Sequence, residues 1–499
     1  MPVEVISLLD DPTCIVVKKA FSKKQCLSFL GYANGFNVAL SHYPTTYRNN
    51  ERFFIDNPQL AGELLETIRT CIPNILQGSD DLSSWAFKKL NPRIRFCKYN
   101  PGQYFNKHLD GVYYESQTVQ SKLTFMVYLN GHDEFEGGET LFFSSKASDE
   151  VIQTFLPETG DLIIFDHNIW HSGKTVTSEE KFVLRSDILY EKITVPPTIN
   201  SQTENTHHLG YIWCLLLLDS NFFLSTGRDK TIKCWNLSGN LICSVPSQHT
   251  NSIFSIVKMG KTSFIAASRD STISLWEFSV PITGLNLKEK YNNGRNEWSI
   301  ISICKIDDLH FASGGADGII DFFTVGQMSG PSASWKLHSN WVWKIIHLFD
   351  NVFCSVSEDC RLIIWDLNKN ILCEHEDDVS ITCCAFDGVR LYFGLHCGTV
   401  KSMPFDPASR KGGKVDESWL AHPKSIIRCM KVYKNRDLLI TGGEDNSIAL
   451  WDATNCSLIQ RLLIHSNFVQ DFFIERDILV SASYDGQIKY SILPDLARY

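Results

Sequence analysis

No apolar run in this chain is long enough to cross a membrane. The longest, Tyr211 to Leu218, falls far short of the roughly 20 residues a spanning helix needs. The opening stretch, MPVEVISLLDDPTCIVVKKAF, has acids where a signal peptide has bases, and it has no continuous apolar segment ending in small residues. These two absences predict a soluble chain in the cytoplasm or nucleus. No pair among the 16 cysteines has the CxxC spacing of a zinc site, and several cysteines replace Val or Ala inside strand-like runs. They read as reduced, mostly buried thiols. A net charge of −9 with both signs interspersed leaves no basic footprint for non-specific nucleic-acid binding, so nucleic acid is not the expected partner.

A length of 499 residues exceeds one ordinary core. The texture changes at residues 191–208, EKITVPPTINSQTENTHH, where two prolines and a polar stretch interrupt the apolar pattern. The expected division is therefore a domain over 1–195, a linker over 196–208 and a second domain over 209–499. Before the linker, helices are expected from Lys23 to Tyr32 and from Pro58 to Cys71, the second with Leu60, Leu64, Leu65 and Ile68 on one face. Strand-like runs follow: Ile94 to Tyr99, Thr124 to Leu129, Thr140 to Phe143, Leu162 to Phe165 and Phe182 to Tyr190. Helices followed by successive strands imply a sheet-rich core with helical packing on one side.

After the linker the sequence repeats itself. The copies are GRDKTIKCW, SRDSTISLW, GADGIIDFF, SEDCRLIIW, LHCGTVKSM, GEDNSIALW and SYDGQIKYS. Their third residues, Asp229, Asp270, Asp317, Asp359, Cys397, Asp445 and Asp485, recur at intervals of about 38 to 48 residues, the range of propeller blades. His249, His338, His422 and His465 stand upstream, and Trp235, Trp276, Trp365 and Trp451 close the third strands. This resembles the WD-repeat family over roughly 207–499 and implies a seven-bladed β-propeller. The resemblance also implies that each turn aspartate bonds a histidine of its own blade. Phe323 in place of tryptophan, Cys397 in place of aspartate and the final KYSIL depart from the pattern. The last copy ends on a third strand near Ile492, so the segment Thr198 to His208 is expected to supply the missing outer strand.

Chemistry concentrates before the linker. An iron(II) that takes both an acid co-substrate and oxygen needs two histidines and one carboxylate on one face, with the other positions open. In His108-Leu109-Asp110 an extended backbone points the outer two side chains the same way. Alone this is weak evidence: with 15 histidines about one HxD arises by chance. His375-Glu376-Asp377, which has no distal ligand, is such a decoy. The company of His108 and Asp110 is what raises them: RIRFCKYNPGQYFNKHLDG, then SKLTFMVYLN, FEGGETLFF, GDLIIFDHNIWHSG and KFVLRSDILY.

Together these motifs resemble the prolyl 4-hydroxylase-like branch of the iron(II)/2-oxoglutarate dioxygenases, over roughly residues 12–192. The resemblance implies a mainly β chain: a double-stranded β-helix, or jelly roll, with N-terminal helices, ahead of the propeller. It implies iron(II), 2-oxoglutarate and dioxygen, with ascorbate as an accessory reductant, and His108, Asp110 and His171 as metal ligands and catalytic residues. It places Lys181 or Arg185, four apart on one strand face, on the distal carboxylate of 2-oxoglutarate, and has Tyr99 and Tyr128 facing that co-substrate. Asp110 stands where related halogenases have a small residue, which favours hydroxylation. Gly137, Gly138 and Asp161 read as turn residues. The expected substrate is a prolyl or other side chain of a protein docked by the propeller. A small molecule or nucleobase, or a scaffold without turnover, are the alternatives. The loops around Gly111 to Gln120 and Ser144 to Glu150 carry no readable substrate code.

Overall fold

The computed structural model describes residues 5–9, 13–33, 35–38, 47–77, 84–116, 118–145, 150–193, 207–280, 282–292, 298–327 and 330–493. The chain divides into two compact units, Met1–Asn205 and Thr206–Tyr499. No helix among the described residues is long and apolar enough to cross a membrane.

Among the described residues the first unit has two large sheets and a two-stranded pair, Glu136–Gly137 with Val176–Ser178. The larger runs Val5–Ser7, Ile15–Val17, Leu162–Asp166, Val119–Tyr128, Lys181–Lys192, Arg93–Tyr99, Glu51–Asp56, Asn37–Val38, with Ser84–Leu90 also pairing Lys181–Lys192. The smaller runs Val151–Phe155, Thr140–Phe143, Trp170–Gly173, Phe105–His108. Because side chains alternate along a strand, the larger sheet feeds two separate cores. Phe96, Phe125, Val127, Leu162, Ile164 and Leu184 pack outward with the helices. Cys97, Tyr99, Met126, Tyr128, Ile163, Phe165 and Val183 point inward and meet Phe105, Phe142 and Phe155 of the smaller sheet. The inward set forms the chamber that holds the candidate site.

The helices expected from Lys23 to Tyr32 and from Pro58 to Cys71 run over Lys23–Leu30 and Pro58–Ile68, the second followed by a 3-10 turn over Arg69–Cys71, and both are capped by their own sequence. Ser22 and Gln25 form a reciprocal capping box, and Asn57 accepts from the Leu60 amide ahead of Pro58 at the first turn. Each such cap stabilises its helix by about 1 kcal/mol. Asp161 does more than turn the chain. Fully buried, it accepts from Lys18 Nζ at 2.6 Å and the Lys19 amide at 2.9 Å, tying the chain just after Ile15–Val17 to the head of its paired strand Leu162–Asp166. Gly160, at φ +85°, lies so close to the Phe21 carbonyl that a Cβ would sit 1.8 Å from its oxygen.

Among the described residues the second unit forms seven successive antiparallel sheets. Their first strands are Ile212–Leu217, Ile253–Lys258, Ile300–Lys305, Val342–Phe349, Ile381–Phe386, Ile427–Tyr433 and Val469–Glu475. Each packs against the next, and Val469–Glu475 packs against Ile212–Leu217. Side chains near the start of these strands reach the neighbouring backbone: Ser302 Oγ donates to Val342 O at 3.3 Å, and Asp471 Oδ2 accepts from the Leu215 amide at 2.8 Å, joining the last sheet to the first. The implied Asp–His bonds are present in five sheets: His208–Asp229, His249–Asp270, His338–Asp359, His422–Asp445 and His465–Asp485. His208, not singled out in the sequence, is the first of them. In four of these sheets the same histidine contacts a strand hydroxyl, Ser225, Ser274, Ser355 or Thr441, that also accepts from the tryptophan indole. Cys397, in the aspartate position, donates to the Thr399 hydroxyl.

Three strands of the last sheet are described, ending at Ile492. The expected outer strand from Thr198 to His208 falls on residues 198–206, outside the described residues. His208 itself belongs to the first sheet through Asp229.

Candidate metal centre

His108 and His171 face each other as register partners on the antiparallel strands Phe105–His108 and Trp170–Gly173. Each is oriented by its own backbone: Nδ1 of His108 donates to Asn106 O at 2.7 Å, and Nδ1 of His171 to Ile169 O at 2.9 Å. With Nδ1–H committed, Nε2 is the lone-pair nitrogen on both rings, the form a metal takes. Packing fixes the planes. The Phe105 ring stacks on His108 at 3.5 Å, and Phe165 meets His171 edge-on at 4.6 Å. Burial pushes both imidazoles below their usual pKa range, so they are neutral.

Asp110 follows the His108 strand, and its amide donates to His167 O at 3.2 Å. Its carboxyl oxygens stand 3.7 Å from His108 Nε2 and 3.8 Å from His171 Nε2. Burial opposes ionisation, but Arg185 and the two imidazoles hold this carboxyl well below the usual range. One ligand atom from each of His108, Asp110 and His171 lies within 4.8 Å of the others, and among the described residues no other His/Cys/Asp/Glu trio does this. His108 Nε2 is buried with no hydrogen-bond partner, a cost that a bound cation removes. By donor set and spacing the trio fits an iron(II) centre.

The other expected site residues separate into two groups. Lys181 is buried in the chamber; its Nζ donates to Gly138 O at 2.5 Å and lies 5.3 Å from the ring centres of both Tyr99 and Tyr128. Burial pushes its pKa down to about 8, against weak attraction from Cys97 and Glu139. Tyr128 shares a 2.6 Å hydrogen bond with Thr140, and burial raises the Tyr99 phenol to about 12. Arg185 is placed differently: its Nη2 donates to Asp110 Oδ1 at 2.6 Å.

Gly138 carries more than a turn. At φ +68° it offers its carbonyl to Lys181, and a Cβ there would stand 3.1 Å from the lysine Cδ. Thr124 also escaped the sequence reading. It lies on the same strand face as Met126 and Tyr128, and its hydroxyl donates to Asp110 Oδ2 at 2.6 Å. The inward alternation of that strand was the available signal. The decoy stays a decoy: Asp377 pairs with Lys401 at 2.6 Å as well as with His375. Of the loops without a substrate code, residues 117 and 146–149 lie outside the described residues.

Residues 94–186 match the family described as the 2OG-Fe(II) oxygenase superfamily, and residues 200–236 and 413–452 match the WD domain, G-beta repeat. The chain is similar to PKHD-type hydroxylases of two Prochlorococcus marinus strains. With that of strain MIT 9215 it is 29% identical over 103 residues, which cover 21% of this chain and 44% of the relative. With that of strain MIT 9211 it is 27% identical over 112 residues, covering 22% and 48%. The chain spans about half the length of these curated relatives. The matched oxygenase family implies iron and 2-oxoglutarate, and the clustered His–Asp–His trio fits the first of these.

Proposed function

We propose that the chain, an oxygenase domain of the 2OG-Fe(II) superfamily joined to WD repeats, is an iron(II)- and 2-oxoglutarate-dependent hydroxylase. Its substrate is a prolyl or other side chain of a protein docked by the repeats. The observation that carries the reading is the convergence of two lone-pair Nε2 atoms on one buried carboxylate, with a buried lysine in the same chamber. His108, Asp110 and His171 hold the iron. Bound iron supplies oxygen activation and the oxidation of a C–H bond.

The chain's own residues do the binding and orienting. Lys181 pairs with the distal carboxylate of 2-oxoglutarate: it is a buried cation whose present partner is only a carbonyl, so an incoming carboxylate offsets its desolvation. The Tyr99 and Tyr128 rings flank that ammonium, and the Tyr128 hydroxyl, bonded to Thr140, can turn to the same carboxylate. Phe105, Phe142 and Phe165 around the two imidazoles exclude water from the reacting centre. Arg185, held by Asp110, is not the distal partner in this reading.

The seven sheets of the second unit support a seven-bladed propeller over 209–499, with 1–195 as the oxygenase domain and 196–208 as the link between them. A propeller raises the local concentration of a docked protein near the iron. The test is succinate formation from 2-oxoglutarate, dependent on iron and lost in Asp110→Ala, with mass spectrometry of proteins captured by the chain. A captured protein should carry one added oxygen with wild type and not with Asp110→Ala. No iron-dependent succinate from wild type refutes the reading.

A further inference from the structure

Arg185 places a permanent positive charge beside the carboxylate of the candidate metal centre. Its Nη2 donates to Asp110 Oδ1 at 2.6 Å, its side chain is 10% exposed, and its Nε is buried with no hydrogen-bond partner. Arginine stays charged at any working pH. The trio of two neutral imidazoles and one carboxylate is therefore offset by the guanidinium to about zero net charge. The second carboxyl oxygen is held by Thr124, which orients it without adding charge. The neighbouring Arg95 differs, because its guanidinium is matched two-pronged by Asp187, at 3.1 and 2.7 Å. Arg185 has its ion pair with a metal-ligand carboxylate instead.

Lys181 and Arg185 share one strand and one face, but at roughly 3.3 Å per residue they are about 13 Å apart along it. One charge faces the tyrosines and the other faces the trio.

We infer that Arg185 makes metal retention conditional on the anionic co-substrate: the guanidinium weakens divalent-cation binding by the trio alone and favours it once the keto-acid end of 2-oxoglutarate brings negative charge to the same place. Arg185 is thus a positioning residue that acts through Asp110. The inference rests on His108, Asp110 and His171 being the metal ligands. Coupling of this kind is reciprocal, so the metal must raise co-substrate affinity by the same factor.

The experiment measures binding of Mn(II), a stand-in for iron(II), to the full-length chain by calorimetry and by the resonance signal of free Mn(II), with and without 2-oxoglutarate. Arg185→Gln removes the charge and keeps a hydrogen-bond donor; Arg185→Lys keeps the charge. Charges this close interact strongly enough to change affinity on the order of tenfold or more. Arg185→Gln should therefore bind Mn(II) alone about tenfold more tightly than wild type, with the gain from 2-oxoglutarate shrinking by a similar factor. Arg185→Lys should keep the wild-type coupling. If Arg185 only orients Asp110, Arg185→Gln should bind Mn(II) alone less tightly, as loss of an outer-shell partner does, and that outcome overturns the inference. Tighter Mn(II) binding by Arg185→Lys also overturns it, since the charge is unchanged. If His108→Ala leaves wild-type Mn(II) affinity intact, the metal-centre reading itself fails.

Discussion

Replacing Lys181 with methionine should move stability and co-substrate binding in opposite directions. In the cofactor-free chain the ammonium is buried, with a carbonyl as its hydrogen-bond partner, and its pKa falls from the ordinary 10.5 to about 8. That difference corresponds to about 3 kcal/mol of penalty on the charged form. Because the folded pKa is the lower one, the stability in question is fully present above pH 10.5 and is lost as pH falls through about 8. At neutral pH the whole penalty applies. Methionine fills a similar volume without the charge, so Lys181→Met should stabilise the cofactor-free chain by ~1–3 kcal/mol after loss of the Gly138 hydrogen bond. Against 2-oxoglutarate the sign reverses, because the distal carboxylate is left desolvated and unpaired. The expected loss is ~2–5 kcal/mol, or at least roughly 30-fold in affinity. Wild-type affinity should be flat below pH 8 and fall by up to about tenfold per pH unit above it, a dependence the variant lacks. The assay is thermal unfolding with and without 2-oxoglutarate and Mn(II), with calorimetric titration across that pH window. Unchanged 2-oxoglutarate affinity in Lys181→Met, or a lower melting temperature without ligand, refutes the reasoning.

Three further outcomes are expected. His108→Ala, Asp110→Ala and His171→Ala should each abolish iron-dependent succinate formation with the fold retained by circular dichroism, and wild-type turnover in any one removes that residue from the ligand set. In the second unit, His208 and neighbouring amides hold Asp229 down to about 2 in spite of burial, which contributes about 2 kcal/mol present above pH 4 and lost as pH falls through about 2. Asp229→Asn should accordingly lower the denaturant midpoint followed by tryptophan fluorescence at pH 7, and an unchanged midpoint contradicts the assignment. A chain ending at residue 195 should still bind metal and form succinate slowly, while hydroxylation of the docked target falls by roughly 10²–10⁴-fold. Equal target hydroxylation at low substrate would show that the propeller does not dock it.

Much of the candidate site could be read before any fold was known, for a local reason. His108 and Asp110 are two residues apart on extended chain, and strand alternation alone sets them on one side. The same alternation marks Lys181 and Arg185 as neighbours on one face, and the WD-like turns announce themselves because each copy is a short, self-contained unit. Apolar spacing likewise makes the second helix legible, expected from Pro58 to Cys71 and found over Pro58–Ile68. His171 was reachable only through the resemblance, since a histidine at a strand end carries no mark of its own.

Which cation pairs with Asp110 was decided by the tertiary structure. Asp110 and Arg185 are 75 residues apart, and their pairing depends on how the strand Lys181–Lys192 lies beside Val119–Tyr128 and below the His108 strand. No periodicity in one strand reports what faces it across a chamber. Gly138 and Thr124 were hidden for the same reason: one contributes through its carbonyl and its missing Cβ, the other through a single hydroxyl in an apolar run. Sequence by itself determined which side chains share a face, because that follows from backbone geometry within a few residues. Register between distant strands, set by the packing of two cores against one sheet, decided that Lys181 meets the tyrosines and Arg185 meets the carboxylate.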